Sequence, residues 1–121
     1  MGTSVLLALA LLQIKHWYID FVNQTQEEVD HKGIYKDWLG VKHSVKHGFG
    51  TFICLTMVTG WEYFIYAFIL GVFDAVIHYH VDWVKMNYGC RDIKEKAFWV
   101  NLGLDQMVHQ LTYVGIAWAM M

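Results

Sequence analysis

The chain has 121 residues, 56% of them hydrophobic, with a net charge of -2 and a mean hydropathy of +0.30. That length suits one domain rather than two. The charge gives no basis for nucleic-acid binding, and Cys54 and Cys90 form neither a disulfide framework nor a metal-type pair.

No proline interrupts the chain, which suits long helices. The first predicted helix covers residues 4–24, with its apolar run first and His16 and Asp20 near its end. It lacks the basic start and cleavage site of a signal peptide and is read as a retained helix. A polar connection, 25–38, has room for a short surface helix. The second helix, 39–59, opens on His43 and His47 and stops near Gly60. The third, 62–87, is apolar first and carries Asp74, His78 and Asp82 towards its end. The fourth, 93–121, begins with Asp105 and His109 and ends apolar.

About 20 residues cross a bilayer core, so each segment is long enough to span. The expected fold class is all-α. It is a single integral membrane domain over 1–121, an up-down-up-down bundle of four transmembrane helices. Two repeated helical hairpins, roughly 1–60 and 61–121, build it. In that topology every polar helix end falls at one level.

All nine Lys and Arg residues fall on that side: Lys15, Lys32, Lys36, Lys42, Lys46, Lys85, Arg91, Lys94 and Lys96. By the positive-inside rule it faces the cytoplasm, and both termini face out of an inner or plasma membrane. Trp61 and Trp118 fit an outer aromatic belt. Trp17, Trp38, Trp83 and Trp99 fit an inner one.

The polar ends repeat with an offset of 62 residues, the spacing from His16 to His78. His16, Asp20, His43 and His47 in the first half correspond to His78, Asp82, Asp105 and His109 in the second. Residues four apart share one helix face. Ionisable groups inside a membrane each cost about 2.5 kcal/mol or more unless paired or functional. Eight of them converging at one level call for a cation.

All eight are therefore candidate metal ligands, and Asp20, Asp82 and Asp105 are also candidates to handle a proton. The number of donors suggests two ions, each drawing on one repeat. Mixed His and Asp ligands suit a divalent transition metal: zinc first, then manganese or iron. His43 against Asp105 is the break in the repeat, so the two ions are expected to have unlike ligands. Gln24, Asp74 and Gln106 neighbour the ligands and can orient them or a water. Lys46 and Lys85 stand beside the motifs, placed to attract phosphate or to snorkel to headgroups. His31, His80 and Tyr113 fall outside the expected site.

The series His16-x-x-x-Asp20-x-x-x-Gln24, His43-x-x-x-His47, His78-x-x-x-Asp82-Trp83-x-Lys85 and Asp105-Gln106-x-x-His109 resembles a family of small uncharacterised bacterial and phage membrane proteins. The resemblance covers nearly the whole chain, but the family carries no activity to transfer. More distantly, the motif style is similar to that of bacterial membrane-bound metal-dependent hydrolases. That similarity implies hydrolysis at the cytoplasmic interface, on a lipid or a phosphorylated small molecule. A membrane di-iron redox enzyme is the alternative, as is a non-enzymatic metal or haem carrier, ion path or structural staple. The bilayer is the expected partner. Gly48 and Gly50 offer a close-packing point for a homo-oligomer.

Overall fold

The computed structural model describes residues 2–120, with side chains from Ser4 onward; Met1 and Met121 lie outside the described residues. Among these the protein is all helical. Helix α1 spans Gly2–Trp17 and continues into a π-helical turn, Tyr18–Val22. Short α2, Gln26–His31, follows. Then come α3, Trp38–Thr59, α4, Phe64–Tyr88, and α5, Lys96–Ala119. The four long helices match the predicted runs. The fourth starts three residues later than expected, because Asp92 to Glu95 form a turn closed by the Glu95 N–H on the Asp92 carbonyl.

Helix α1 packs against α3 and α5, and α4 packs against the same two, so the long helices form a ring of neighbours. Each neighbouring pair is antiparallel. Asp20 near the end of the first helical run meets His43 near the start of α3. Lys85 late in α4 meets Asp105 early in α5. Gly60, at φ 91°, ends α3 in a backbone conformation that favours glycine.

Helices α3 and α4 approach closely at Gly48 and Gly71. A Cβ on Gly48 would stand 2.7 Å from the Gly71 carbonyl oxygen and 2.8 Å from Ala75 Cβ. Gly50 faces the Lys15 side chain in the same way. Both glycines expected to serve self-association thus pack inside the chain.

The interior is unusual in what it holds. Beneath the polar level lies a small apolar core of Ala8, Leu12, Cys54, Leu55, Ala67, Tyr113 and Ile116. Among the described residues, 14 buried positions are polar or charged and nine are apolar. The outward faces are the reverse. Val45, Phe49, Ile53 and Met57 on α3, and Leu104, Met107, Leu111, Val114 and Trp118 on α5, are all exposed. Their spacing of three and four residues marks one continuous apolar stripe per helix. Two helical stretches, Ser4–Val22 and Trp61–Tyr88, are long and apolar enough to cross a membrane, with mean hydropathies of 1.5 and 1.6.

Helix α2 closes the polar end of the bundle. Thr25 and Glu28 form a reciprocal capping box at its start. Asn87 Nδ2 donates to the Gly33 carbonyl at 3.0 Å, and the Lys36 N–H donates to the Tyr79 hydroxyl at 2.6 Å. Glu28 is buried and receives the Lys46 ammonium. Burial works to raise its pKa, but the Lys46 and Thr25 hydrogen bonds outweigh it and hold the carboxyl below its ordinary value.

A lowered folded-state pKa means stability present above the unfolded value, about 4.3 for glutamate, and lost as pH falls through the folded one. Residues 25–37 are therefore expected to loosen in acid before the long helices do. Hydrogen exchange corrected for intrinsic rates checks this, and Glu28→Gln should loosen the same segment at neutral pH.

Candidate metal centre

Each long helix sends three residues inward at spacing four: Leu12, His16 and Asp20; His43, His47 and Thr51; Asp74, His78 and Asp82; Asp105, His109 and Tyr113. Because neighbours run antiparallel, these stack into three levels. The level nearest α2 holds Asp20, His43, Asp82 and Asp105. The middle level is entirely histidine: His16, His47, His78 and His109. The deepest holds Leu12, Thr51, Asp74 and Tyr113. Twelve positions come from a single period of four.

The eight expected ligands are all buried, and six of them fall into two groups with donor atoms within 4.8 Å of one another: Asp20, His43, His47 and His78, then His78, Asp82 and His109. In the first group, Asp20 Oδ1 lies 2.7 Å from His47 Nε2, 3.0 Å from His43 Nε2 and 3.6 Å from His78 Nε2. In the second, Asp82 Oδ2 is 3.2 Å from His78 Nε2 and Asp82 Oδ1 is 3.3 Å from His109 Nε2. Zinc–ligand bonds of about 2.0–2.1 Å put tetrahedral ligands roughly 3.4 Å apart. The spacings bracket that edge.

The imidazoles of His47, His78 and His109 stack, with centroids 3.6 and 3.9 Å apart and His78 in the middle. His78 has no exposed surface, and neither of its ring nitrogens has a hydrogen-bond partner. A fully buried ring with both nitrogens unpaired is costly; a cation on Nε2 would satisfy one of them. The donor set fits a divalent transition metal.

The π turn shapes the first group. The Asn23 N–H reaches the Tyr18 carbonyl at 2.8 Å, a five-residue step that inserts extra backbone around Asp20. No such turn occurs at Asp82, which lies in regular α4. The two halves are thus not copies at the backbone level.

His16 and Asp105 stand outside the two groups. His16 Nε2 lies 2.6 Å from Gln106 Oε1 and 3.3 Å from Asp20 Oδ2, and its Nδ1 lies 2.9 Å from the Tyr113 hydroxyl. Asp105 Oδ1 is 3.2 Å from His109 Nε2, while its Oδ2 accepts from Lys85 and Gln106. Gln24 donates to the Asp20 carbonyl at 2.9 Å. Asp74 accepts from Thr51 at 2.6 Å and from Lys15 at 3.1 Å, a level below the ligands. His31 pairs with Asp37, and His80 with the Val76 carbonyl, both away from the centre.

Three participants were not singled out by the motifs. Lys15 is buried, and its ammonium donates to Asp74, to the Tyr113 hydroxyl at 3.0 Å and to His47 Nδ1 at 3.2 Å. With Nδ1 accepting from Lys15, His47 carries its proton on Nε2, facing Asp20. An ion at Nε2 needs the ring proton on Nδ1 instead, so the ammonium must pass a proton to Nδ1 or give up that contact while Nε2 releases its own. Lys32 is also buried, with its ammonium 3.2 Å from Asp82 Oδ2. Tyr113, expected to be packing alone, is fully buried and joins Lys15 to His16 through its hydroxyl. Its place at spacing four from His109 was the available signal. A lone lysine inside an apolar run was the signal for Lys15. Lys46 and Lys85, expected to attract phosphate or reach headgroups, are engaged by Glu28 and Asp105.

Fold and centre together define a helical protein with a buried His and Asp cluster able to hold a metal ion. The chain belongs to an uncharacterised family: the family model described as "Protein of unknown function (DUF3307)" matches residues 7–121. Searches of curated proteins and of solved structures found no match.

Proposed function

We propose that the protein is an integral membrane metal-dependent hydrolase with its centre at the cytoplasmic end of a four-span bundle. The observation that carries the metal centre is the convergence of His43, His47 and His78 on Asp20, with every donor buried. The inverted distribution of side chains, polar within and apolar without, supports a lipid surround for α3 and α5 as well as for the two apolar stretches. Exposed Trp61 and Trp118 at one end, and Trp17, Trp38 and Trp99 at the other, suit two interfacial belts.

Asp20, His43 and His47 together offer two imidazoles and one carboxylate, a ligand type found in catalytic zinc sites. His78 comes from the other repeat and faces them at the fourth position. A divalent transition metal held there would acidify water and polarise a carbonyl or phosphoryl oxygen once a position opened to them, by release of His78 or by expansion to five ligands. Asp82 Oδ2 stands 3.2 Å from the same His78 Nε2, at the edge of the donor group, where it could take or return a proton directly. Gln106 fixes His16 beside Asp20, and Gln24 braces the Asp20 backbone. Substrates of this reading are lipids or phosphorylated small molecules that reach the interface.

The test is chelation of the purified protein in detergent, then readdition of zinc, manganese or iron(II). Hydrolysis of lipid and soluble phosphoesters and amides should vanish and return with one of these metals. Metal-loaded protein that hydrolyses none of them, yet melts at a lower temperature after chelation, would replace the enzyme with a second reading. That reading is a metal staple, favoured by the deep burial of the four donors.

A further inference from the structure

Among the described residues five carboxylates are buried: Asp20, Glu28, Asp74, Asp82 and Asp105. Four have a lysine beside them. Lys46 meets Glu28, Lys15 meets Asp74 at 3.1 Å, Lys32 meets Asp82 at 3.2 Å and Lys85 meets Asp105 at 3.1 Å. Among the described residues Asp20 has no lysine or arginine partner, only the imidazoles of His16, His43, His47 and His78. An ionised carboxylate without a countercharge is the most costly member of such a set.

The repeat treats Asp20 and Asp82 as equivalents; α2 does not. Lys32 sits just after that helix and reaches back over the second half's aspartate. Its counterpart at the 62-residue offset, Lys94, is exposed. The ring of His78 sets a further limit. Its Nε2 stands 3.6 Å from Asp20 Oδ1 and 3.2 Å from Asp82 Oδ2. That nitrogen has one lone pair and can bind one ion.

We infer that the centre takes a single divalent transition-metal ion, at Asp20, His43, His47 and His78, and that the Lys32 ammonium fills the place at Asp82 which the repeat would give to a second. This rests on the metal centre proposed above, but not on hydrolysis. The duplicated motif has been divided into a metal half and an ammonium half. With His78 committed to the first ion, Asp82 and His109 remain of the second group, and His109 Nε2 stands 3.3 Å from Asp82 Oδ1 and 3.2 Å from Asp105 Oδ1. Lys32 and Lys85 supply the positive charge there.

Elemental analysis of the full chain, loaded with excess zinc and desalted in detergent, tests this. One zinc per chain is expected. Asp82→Asn should keep that ion and Asp20→Asn should lose it. Lys32→Met should admit a second ion at Asp82, His109 and Asp105, whereas Lys32→Arg, which retains the charge, should stay at one. Circular dichroism and size exclusion confirm that each variant is folded. Two ions in the unaltered chain, or a folded Lys32→Met protein that stays at one, overturn the inference. No bound zinc in the unaltered chain overturns the metal centre itself.

Discussion

Asp20→Asn is expected to strip the protein of its metal while leaving the helices in place. The Asp20 carboxylate is the point on which His43, His47 and His78 converge, and it carries the only formal negative charge in that donor group. An amide of the same shape can still accept a hydrogen bond from one imidazole, so local packing survives. It does not neutralise a divalent ion. Altering a residue that merely orients a ligand costs about 10–100-fold in metal affinity. Loss of this ligand should cost more than 100-fold, read by competitive zinc titration against a coloured chelator. Asp105→Asn, whose carboxylate is held by Lys85 and Gln106, should fall within the milder range. Equal retention of zinc by Asp20→Asn and the unaltered chain would remove Asp20 from the centre.

The contrast between these two aspartates bears on what the sequence could disclose. A helix face is local information. His16 and Asp20, or His43 and His47, lie four apart, and period four predicts that they point the same way. The level at which the pairs meet followed from alternating the polar end along successive helices, and the interhelical contacts agree. Partnership between distant residues is not local. Lys15 and Asp74 are 59 residues apart, and nothing in the flanking sequence of Lys32 directs it to Asp82.

The basic residues illustrate the difference. Nine were treated as one signal of orientation, yet Lys15 and Lys32 are buried in ion pairs and serve the interior. Hydropathy had a related limit. Helices α3 and α5 fall outside the two apolar stretches, yet each carries an outward row of exposed apolar side chains. An average over a window mixes two faces that the fold separates. The π turn at Asp20 was also beyond period counting, since it adds a step that only the backbone reveals.

Lys15→Met is expected to destabilise the protein by about 3–5 kcal/mol, the usual cost of leaving one partner of a buried ion pair alone. The ammonium serves Asp74, the Tyr113 hydroxyl and His47 Nδ1 together. Its removal strands a carboxylate beneath the centre, where Thr51 is the remaining donor. Asp74→Leu should cost a similar amount, because the lysine is then the unpaired charge. The two changes together should be far milder than their sum, and replacing a whole buried pair by apolar residues is often neutral. Unfolding in denaturant, followed in detergent by helical circular dichroism, measures all three.

The repeat explains why this pair is free to differ from its surroundings. At the 62-residue offset Lys15 corresponds to Ile77 and Asp74 to Leu12, so neither charge has a copy in the other half. Three of the four proposed ligands stand at positions that the repeat keeps, His43 stands at its break, and the pair beneath them has no copy. If the ammonium at Nδ1 sets the His47 tautomer, the double variant should recover stability while its zinc affinity differs from that of the unaltered chain by about 10–100-fold, as for other groups that act on a ligand. Recovery of both would make Lys15 and Asp74 a structural pair alone.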